Sequence, residues 1–282
     1  MSKVYDVITD RVIEKLEAGT IPWEKPWGGK AGMPKNLKSG KAYRGINVFL
    51  LHSLGYESPY FLTFKQAKER GGSVRKGEKG CPVVFWKWLE VEQADEPTTK
   101  RVPMLRYYTV FNVAQCEGIS APAIDVPERK HEPVLAAQAT VRAMPNPPGI
   151  VHGYTGAAYS PRTDIVRMPK PGRFESSERY YSTLFHELTH STGHSSRLDR
   201  NVDLKLAAFG SSDYSREELV AEMGAAFLCG ETGILDTIEQ SAAYIEGWLR
   251  SLRNNRKLVV TAAAQAQKAV DFILNRDFQG AK

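Results

Sequence analysis

The segment His186-Glu187-Leu188-Thr189-His190 sets two imidazoles four residues apart, with a carboxylate directly after the first. On an α-helix, residues four apart share a face, so both rings can reach a single divalent metal ion. Glu187 falls on the flank of that face, where it can meet a water held by the metal. The ion acidifies that water enough for a carboxylate to take its proton near neutral pH, the minimum needed to hydrolyse a peptide bond. A surface helix that merely carries two histidines is the bland alternative, and the surroundings count against it. Tyr181, Leu184, Phe185 and Leu188 form the apolar stripe of a buried helix. Ser176 or Ser177 can cap its start and Gly193 can end it.

A third ligand must come from elsewhere. The spacings at which other His-Glu-x-x-His enzymes place a third histidine fall here on Ser195 and Ser196, and His194 lies beyond the helix-ending Gly193. Glu218 and Glu222, four apart on a later helix, offer carboxylates on one face. One can bind the metal while the other holds a ligand imidazole. Glu218 is the expected ligand and Glu222 its support. If Glu218 instead forms a capping box with Ser215, the metal passes to Glu222. Zn²⁺ is the expected ion, and two His with a Glu also accept Mn²⁺ or Co²⁺. His194 and the nearby tyrosines are candidates for stabilising the oxyanion.

The elements that must position this site read as a domain over 133–282. It opens with a helix near Pro133–Ala143, followed by strands at Gly149–Gly153, Ala157–Ser160 and Asp164–Pro169. The metal helix comes next, then a helix over Ser215–Leu228 and two more near 236–252 and 256–275. One edge strand would be free to pair with an extended substrate backbone. Before it, 118–132 is Pro-rich and aperiodic and reads as a linker.

Residues 1–117 read as a small α+β domain with a curled antiparallel sheet. A helix spans 2–19, with Val4, Ile8, Val12 and Leu16 at helical spacing. A short helix through Val48–Leu51, a strand at Tyr60–Thr63 and a helix at Phe64–Arg70 follow. Strands Pro82–Leu89 and Leu105–Asn112 flank a polar stretch, Gln93–Arg101, read as an exposed hairpin loop. The fold class is thus α+β, in two domains.

Length and composition fit this reading. A chain of 282 residues can bury two modest cores. No apolar run is long enough for a membrane span and the start lacks a signal peptide's apolar core, so a cytoplasmic protein without a membrane partner is expected. Three scattered cysteines form neither a disulfide framework nor a metal site. The net charge of +6 lies wholly in the first half: residues 1–130 hold 21 Lys+Arg against 15 Asp+Glu, while 131–282 hold 17 of each. Residues 25–89 alone carry 13 basic and 3 acidic side chains, which implies a polyanionic partner.

Cations interleaved with Trp23, Trp27, Tyr43, Phe49, Tyr60, Phe64 and Trp86 suit single-stranded nucleic acid, with rings stacked on unpaired bases. Trp23, Lys25, Trp27, Lys38, Lys41, Tyr43, Arg44, Arg75, Lys76 and Lys79 are the candidate contacts. The competing reading is that the rings are core and the basic surface meets an acidic protein.

Taken together, these segments resemble the ArdC-type antirestriction proteins of conjugative plasmids along nearly the whole chain. The resemblance rests on Pro22-Trp23 with Pro26-Trp27, Tyr43-Arg44-Gly45-Ile46-Asn47, Thr63-Phe64-Lys65-Gln66-Ala67, Arg75-Lys76-Gly77-Glu78 and Val110-Phe111-Asn112. In the second half it rests on Tyr180-Tyr181 through Thr192-Gly193-His194, Arg197-Leu198 and Glu217-Glu218-Leu219-Val220-Ala221-Glu222. The first half also resembles the corresponding part of TraC-type plasmid primases. The resemblance implies single-stranded DNA binding by the first domain, a zincin-type metallopeptidase fold in the second, and protection of entering DNA from restriction, with a protein substrate it leaves unnamed. Two other readings fit the same residues. In one the protein coats DNA and its zincin domain is a metal-stabilised scaffold without catalysis; in the other it is a general protease of DNA-bound proteins.

Overall fold

The computed structural model describes residues 3–23, 32–93, 96–122, 133–200, 212–234 and 242–276. The first half contains α1 (Lys3–Glu17), β1 (Lys35–Asn36), α2 (Ile46–His52), β2 (Tyr60–Leu62), α3 (Phe64–Glu69), β3 (Ser73–Val74), β4 (Cys81–Gln93), β5 (Glu96–Asn112) and β6 (Cys116–Glu117). The second contains α4 (Pro133–Ala143), β7 (Gly149–His152), β8 (Ala158–Ser160), β9 (Ile165–Met168), α5 (Ser177–Ser191), α6 (Ser212–Thr232), α7 (Ala242–Asn254) and α8 (Leu258–Ile273).

The first domain's four-stranded sheet runs β1-β2-β5-β4, and β3 pairs with β6 beside it. It is mixed rather than wholly antiparallel, because β1 and β2 run parallel. α3 starts on a reciprocal cap in which the Thr63 hydroxyl accepts from the Gln66 N–H and the Gln66 side chain accepts from the Thr63 N–H. The stretch from Gln93 to Arg101 is not wholly a loop as expected: β4 and β5 keep one register as far as Glu92 opposite Thr99, and after a shift Gln93 pairs with Glu96. Cross-strand pairing satisfies the backbone there and outweighs the polar composition.

In the second domain a three-stranded sheet, β7-β9-β8, lies beside the helices. Among the described residues no helix is long and apolar enough to cross a membrane. Cys81 and Cys229 are buried and free, and burial pushes their thiols up to about 11 and about 12, which removes them from thiolate chemistry.

The two domains share one hydrophobic cluster. Ile8, Val12 and Leu16 bury the stripe of α1, and α1 packs against α7 and α8 of the second domain. Phe49 of α2 meets Phe227 of α6 with ring centroids 4.6 Å apart. Polar contacts follow the same seam. The Thr9 hydroxyl donates to the Arg256 carbonyl at 2.7 Å, the Gly45 N–H donates to Gln267 Oε1 at 3.1 Å, and Arg44 pairs with Asp271.

A shared core should unfold as one unit. Phe49→Ala, which empties a fully buried ring site against Phe227, should cost about 3–5 kcal/mol. In urea, near-ultraviolet and far-ultraviolet signals of the wild type should fall in a single coincident transition. Two separated transitions would show that each domain holds its core independently.

Candidate metal centre

The centre is built where α5 crosses α6. The Ser176 hydroxyl accepts from the Arg179 N–H at 3.1 Å and caps α5. Leu184, Phe185 and Leu188 bury one side of the helix. The hydroxyls of Thr189, Ser191 and Thr192 are also buried and turn back onto helix carbonyls at 2.7 Å, so none is left unsatisfied. Opposite Thr189 stands Gly224: a Cβ there would lie 2.4 Å from Thr189 Cγ2. Glycine thus sets how closely the two helices approach.

That approach brings His186, His190 and Glu218 together, with one ligand atom from each lying within 4.8 Å of the others. His186 Nε2 and His190 Nε2 are 3.1 Å apart, and the two Glu218 oxygens stand 3.5 Å from these nitrogens, one against each ring. Ser215 lies inside α6 rather than at its start, so the capping role that would have drawn Glu218 away is not available to it. Burial by itself would depress His186, but the hydrogen bond that Glu218 accepts from it and the charges of Glu187, Glu218 and Glu222 outweigh burial and hold the ring above its ordinary value. Glu187 is buried between the two histidines in sequence, and its charge acts on His186.

The imidazole support expected of Glu222 is supplied at His190 by Glu217. Glu217 Oε1 lies 3.6 Å from His190 Nδ1, a buried nitrogen with no hydrogen-bond partner among the described residues. A carboxylate on that side draws the ring proton to Nδ1 and turns the Nε2 lone pair toward His186 and Glu218. Burial would raise the Glu217 pKa, yet the His190 contact and the Arg200 guanidinium hold it below the ordinary carboxylate value. Arg200 also donates to the Thr189 carbonyl at 2.9 Å and the Thr192 hydroxyl at 2.6 Å, tying Glu217 to the C-terminal end of α5. Neither Glu217 nor Arg200 was singled out from the pattern. The adjacent Glu-Glu pair was its available signal. Three convergent donors, one with its far nitrogen facing a carboxylate, fit a two-His, one-Glu divalent-metal site.

Glu222 has a different contact: Trp23 of the first domain donates its indole N–H to Glu222 Oε2 at 3.2 Å. Trp23 is 2% exposed and packs edge-on against Trp248. It is therefore not a base-stacking residue. Burial excludes Tyr43 and Phe49 from that role as well, and the Tyr43 hydroxyl accepts from Asn36. Lys25 and Trp27 lie outside the described residues. Lys38 pairs with Glu69, Arg75 with Glu78, and Arg44 with Asp271 across the domain seam. Lys41, Lys76 and Lys79 are exposed. His194, expected near the oxyanion, is half-buried and bonds Ser196 Oγ at 2.8 Å, while the Tyr180 hydroxyl meets His152 at 3.0 Å.

A His-Glu-x-x-His helix met by a glutamate of the following long helix defines a zincin-like metallopeptidase domain, and residues 138–265 match the family described as zincin-like metallopeptidase, MPTase-PolyVal. Residues 2–111 match the N-terminal domain of anti-restriction factor ArdC. The chain belongs to the ArdC family of antirestriction proteins. It is similar to the solved structure of antirestriction ArdC protein from plasmid R388 in its metal-free form, with 41% identity, a TM-score of 0.75, and coverage of 97% of this chain and 98% of that one. The Mn(II)-bound structure of the same protein matches with 40% identity and a TM-score of 0.75, covering 98% and 99% of the two chains. The uncharacterized protein y4eC of Sinorhizobium fredii (strain NBRC 101917 / NGR234) is 34% identical, over 96% of this chain and 91% of its own. The DNA primase TraC of Escherichia coli is 38% identical over 96% of this chain, but the chain spans only 27% of that primase. The zincin-like family, the His-His-Glu cluster and the Mn(II)-bound relative together indicate a divalent metal.

Glu217→Gln keeps the side chain's size but removes the charge that faces His190 and Arg200. It should weaken Mn(II) binding roughly 10–100-fold, read by isothermal titration at fixed pH. Glu218→Ala should abolish that binding, and full occupancy in this variant would remove Glu218 from the ligand set. Trp23→Phe removes the indole N–H toward Glu222 together with part of the ring packed against Trp248, touches no ligand imidazole, and should shift metal affinity by less than Glu217→Gln.

Proposed function

We propose that this protein is a metal-dependent peptidase tethered to a single-stranded-DNA-binding domain, acting in the cytoplasm to protect incoming DNA from restriction. The observation that carries the reading is the His186, His190 and Glu218 cluster with Glu187 beside it on the same helix. His186 and His190 offer ring nitrogens and Glu218 a carboxylate, the donor set that Zn²⁺ takes in hydrolytic sites and that Mn²⁺ or Co²⁺ also accepts. When bound, such an ion supplies Lewis acidity toward water and a peptide carbonyl.

The chain's own side chains do the rest. Glu187 takes the proton of the attacking water and can return it to the departing amine nitrogen, so that the peptide C–N bond breaks without a free anion leaving. Glu217, pinned by Arg200, keeps His190 in one tautomer through the cycle. Burial of Glu187 and His190 limits bulk water around the reacting atoms. The protein substrate in this reading is one that acts on the DNA held by the first domain. Tethering raises the peptidase's effective concentration near it without any new contact.

A second reading has a specific observation behind it. α5 and α6 belong to the core shared by both domains, so a metal there could serve stability alone, in a DNA-coating protein without catalysis. Transfer of unmodified plasmid into a restricting host separates the two, with wild type and Glu187→Ala at matched protein levels. The variant keeps the three metal ligands. Loss of protection supports the peptidase, and undiminished protection would leave the scaffold reading standing.

A further inference from the structure

Beyond Val84 and Tyr108, β4 and β5 leave the sheet as a two-stranded ribbon on which Leu105 is the one buried side chain among those described. Cys81, Pro82 and Val83 are buried, whereas Phe85, Trp86, Lys87 and Trp88 are all exposed. Exposure reaches 47% at Trp86, 59% at Trp88 and 43% at Tyr107. Register assigns the faces: Trp86 opposes Leu105 and Trp88 opposes Pro103 on one side, and Phe85 opposes Arg106 and Lys87 opposes Met104 on the other. Large rings left in water cost free energy unless they have a partner.

We infer that this ribbon is the stacking platform for single-stranded DNA, with bases on the Trp86–Trp88 face and phosphates reached by Lys87 and Arg106 around its edge. The inference rests on the DNA-binding reading proposed above and locates it on a surface that reading did not assign. Positions two apart on one strand lie about 6.6 Å apart, roughly twice the 3.4 Å spacing of stacked bases, so one base fits between the two indoles. A ribbon two strands wide, about 4.8 Å between strands, is narrow enough for Lys and Arg side chains to reach a backbone that crosses its edge. Charge selects the occupant. A second copy would set this basic half against itself, with 13 basic and 3 acidic side chains over residues 25–89, whereas a polyanion is attracted. By sequence, residues 81–112 hold four basic and four acidic side chains, so the attraction comes from the rest of the domain and the ribbon's own phosphate contacts fall on Lys87 and Arg106.

The test uses the full chain and a fluorescent oligo-dT strand, read by anisotropy. Trp86→Ala with Trp88→Ala should weaken binding roughly tenfold or more, and Trp86→Phe with Trp88→Phe should restore most of it because the rings remain. Lys87→Gln with Arg106→Gln should lower the slope of log K against log salt by about 0.7 per cation. Unchanged Mn(II) binding in each variant verifies folding. If wild type binds and the alanine variant binds equally well, the ribbon is not the platform while the DNA reading stands. If wild type itself does not bind, the DNA reading fails and takes this inference with it. If the alanine change instead converts a dimer to a monomer with DNA binding intact, the ribbon is a contact between copies and the inference is overturned.

Discussion

The approach of α5 to α6 at Thr189 and Gly224 is the constraint on which the centre depends. Two ligands belong to one helix and the third to the other, so the distance between helix axes sets whether three donor atoms can converge. With a Cβ at 224 only 2.4 Å from Thr189 Cγ2, any larger residue would separate the helices or turn one of them. Glycine inside a helix costs about 0.5–1 kcal/mol relative to alanine, a modest penalty for that geometry. Arg200 holds the same junction from its other side, joining the end of α5 to Glu217 of α6. A buried charge pair stabilises little by itself, but its geometry fixes the carboxylate that orients His190.

The second constraint is that the helix carrying Glu218 is also held by the first domain. The N–H of Trp23 meets Glu222, one turn beyond Glu218 on α6, and Glu222 contributes to the charge felt by His186. Phe49 against Phe227 supports the far side of that same helix from the first domain. α6 thus carries a ligand, the carboxylate that orients His190, and two anchor points for the other domain. The two-domain description remains correct for the chain's layout, while packing and electrostatics join the halves.

The sequence revealed the parts of this arrangement that follow from local period. His186, Glu187 and His190 are visible because helical spacing puts the imidazoles on one face, and the stripe through Leu184, Phe185 and Leu188 marks the buried side. Glu218 is visible because it and Glu222 repeat every four residues on a recognisable later helix. Glu217 is not, since adjacent residues point about 100° apart on a helix and only the crossing of the helices brings it to the far nitrogen of His190. Arg200 is hidden for a related reason: its partners are brought together by the fold, not by spacing. The aromatic residues fail differently. A ring in a basic, Pro-rich stretch suits either stacking or core, and nothing local distinguishes Trp23, sealed against Trp248, from Trp86, left in water. The polar residues past Gln93 suggest a loop, while cross-strand pairing reaches Arg101, Lys100, Thr99 and Glu96 among them.

The basic excess of the first half also reads differently once its pairs are known. Arg44 is committed to Asp271 at the seam between domains, where the acid is largely shielded, and withdrawing it would leave a poorly solvated carboxylate behind. Lys38 with Glu69 and Arg75 with Glu78 are surface pairs, more than one-third exposed on the basic side. Such pairs contribute about 0–1 kcal/mol each, so a phosphate could take the acid's place on either cation at little cost. The formal count therefore overstates the field by the committed arginine, but not by the surface pairs. Together with the exposed Lys41, Lys76 and Lys79 they form a reserve of cations whose present partners are easily exchanged. A polyanion meeting this half would gain most where exchangeable cations border uncovered rings, and on the β4–β5 ribbon those rings are Trp86 and Trp88, with Lys87 and Arg106 as the exposed cations beside them.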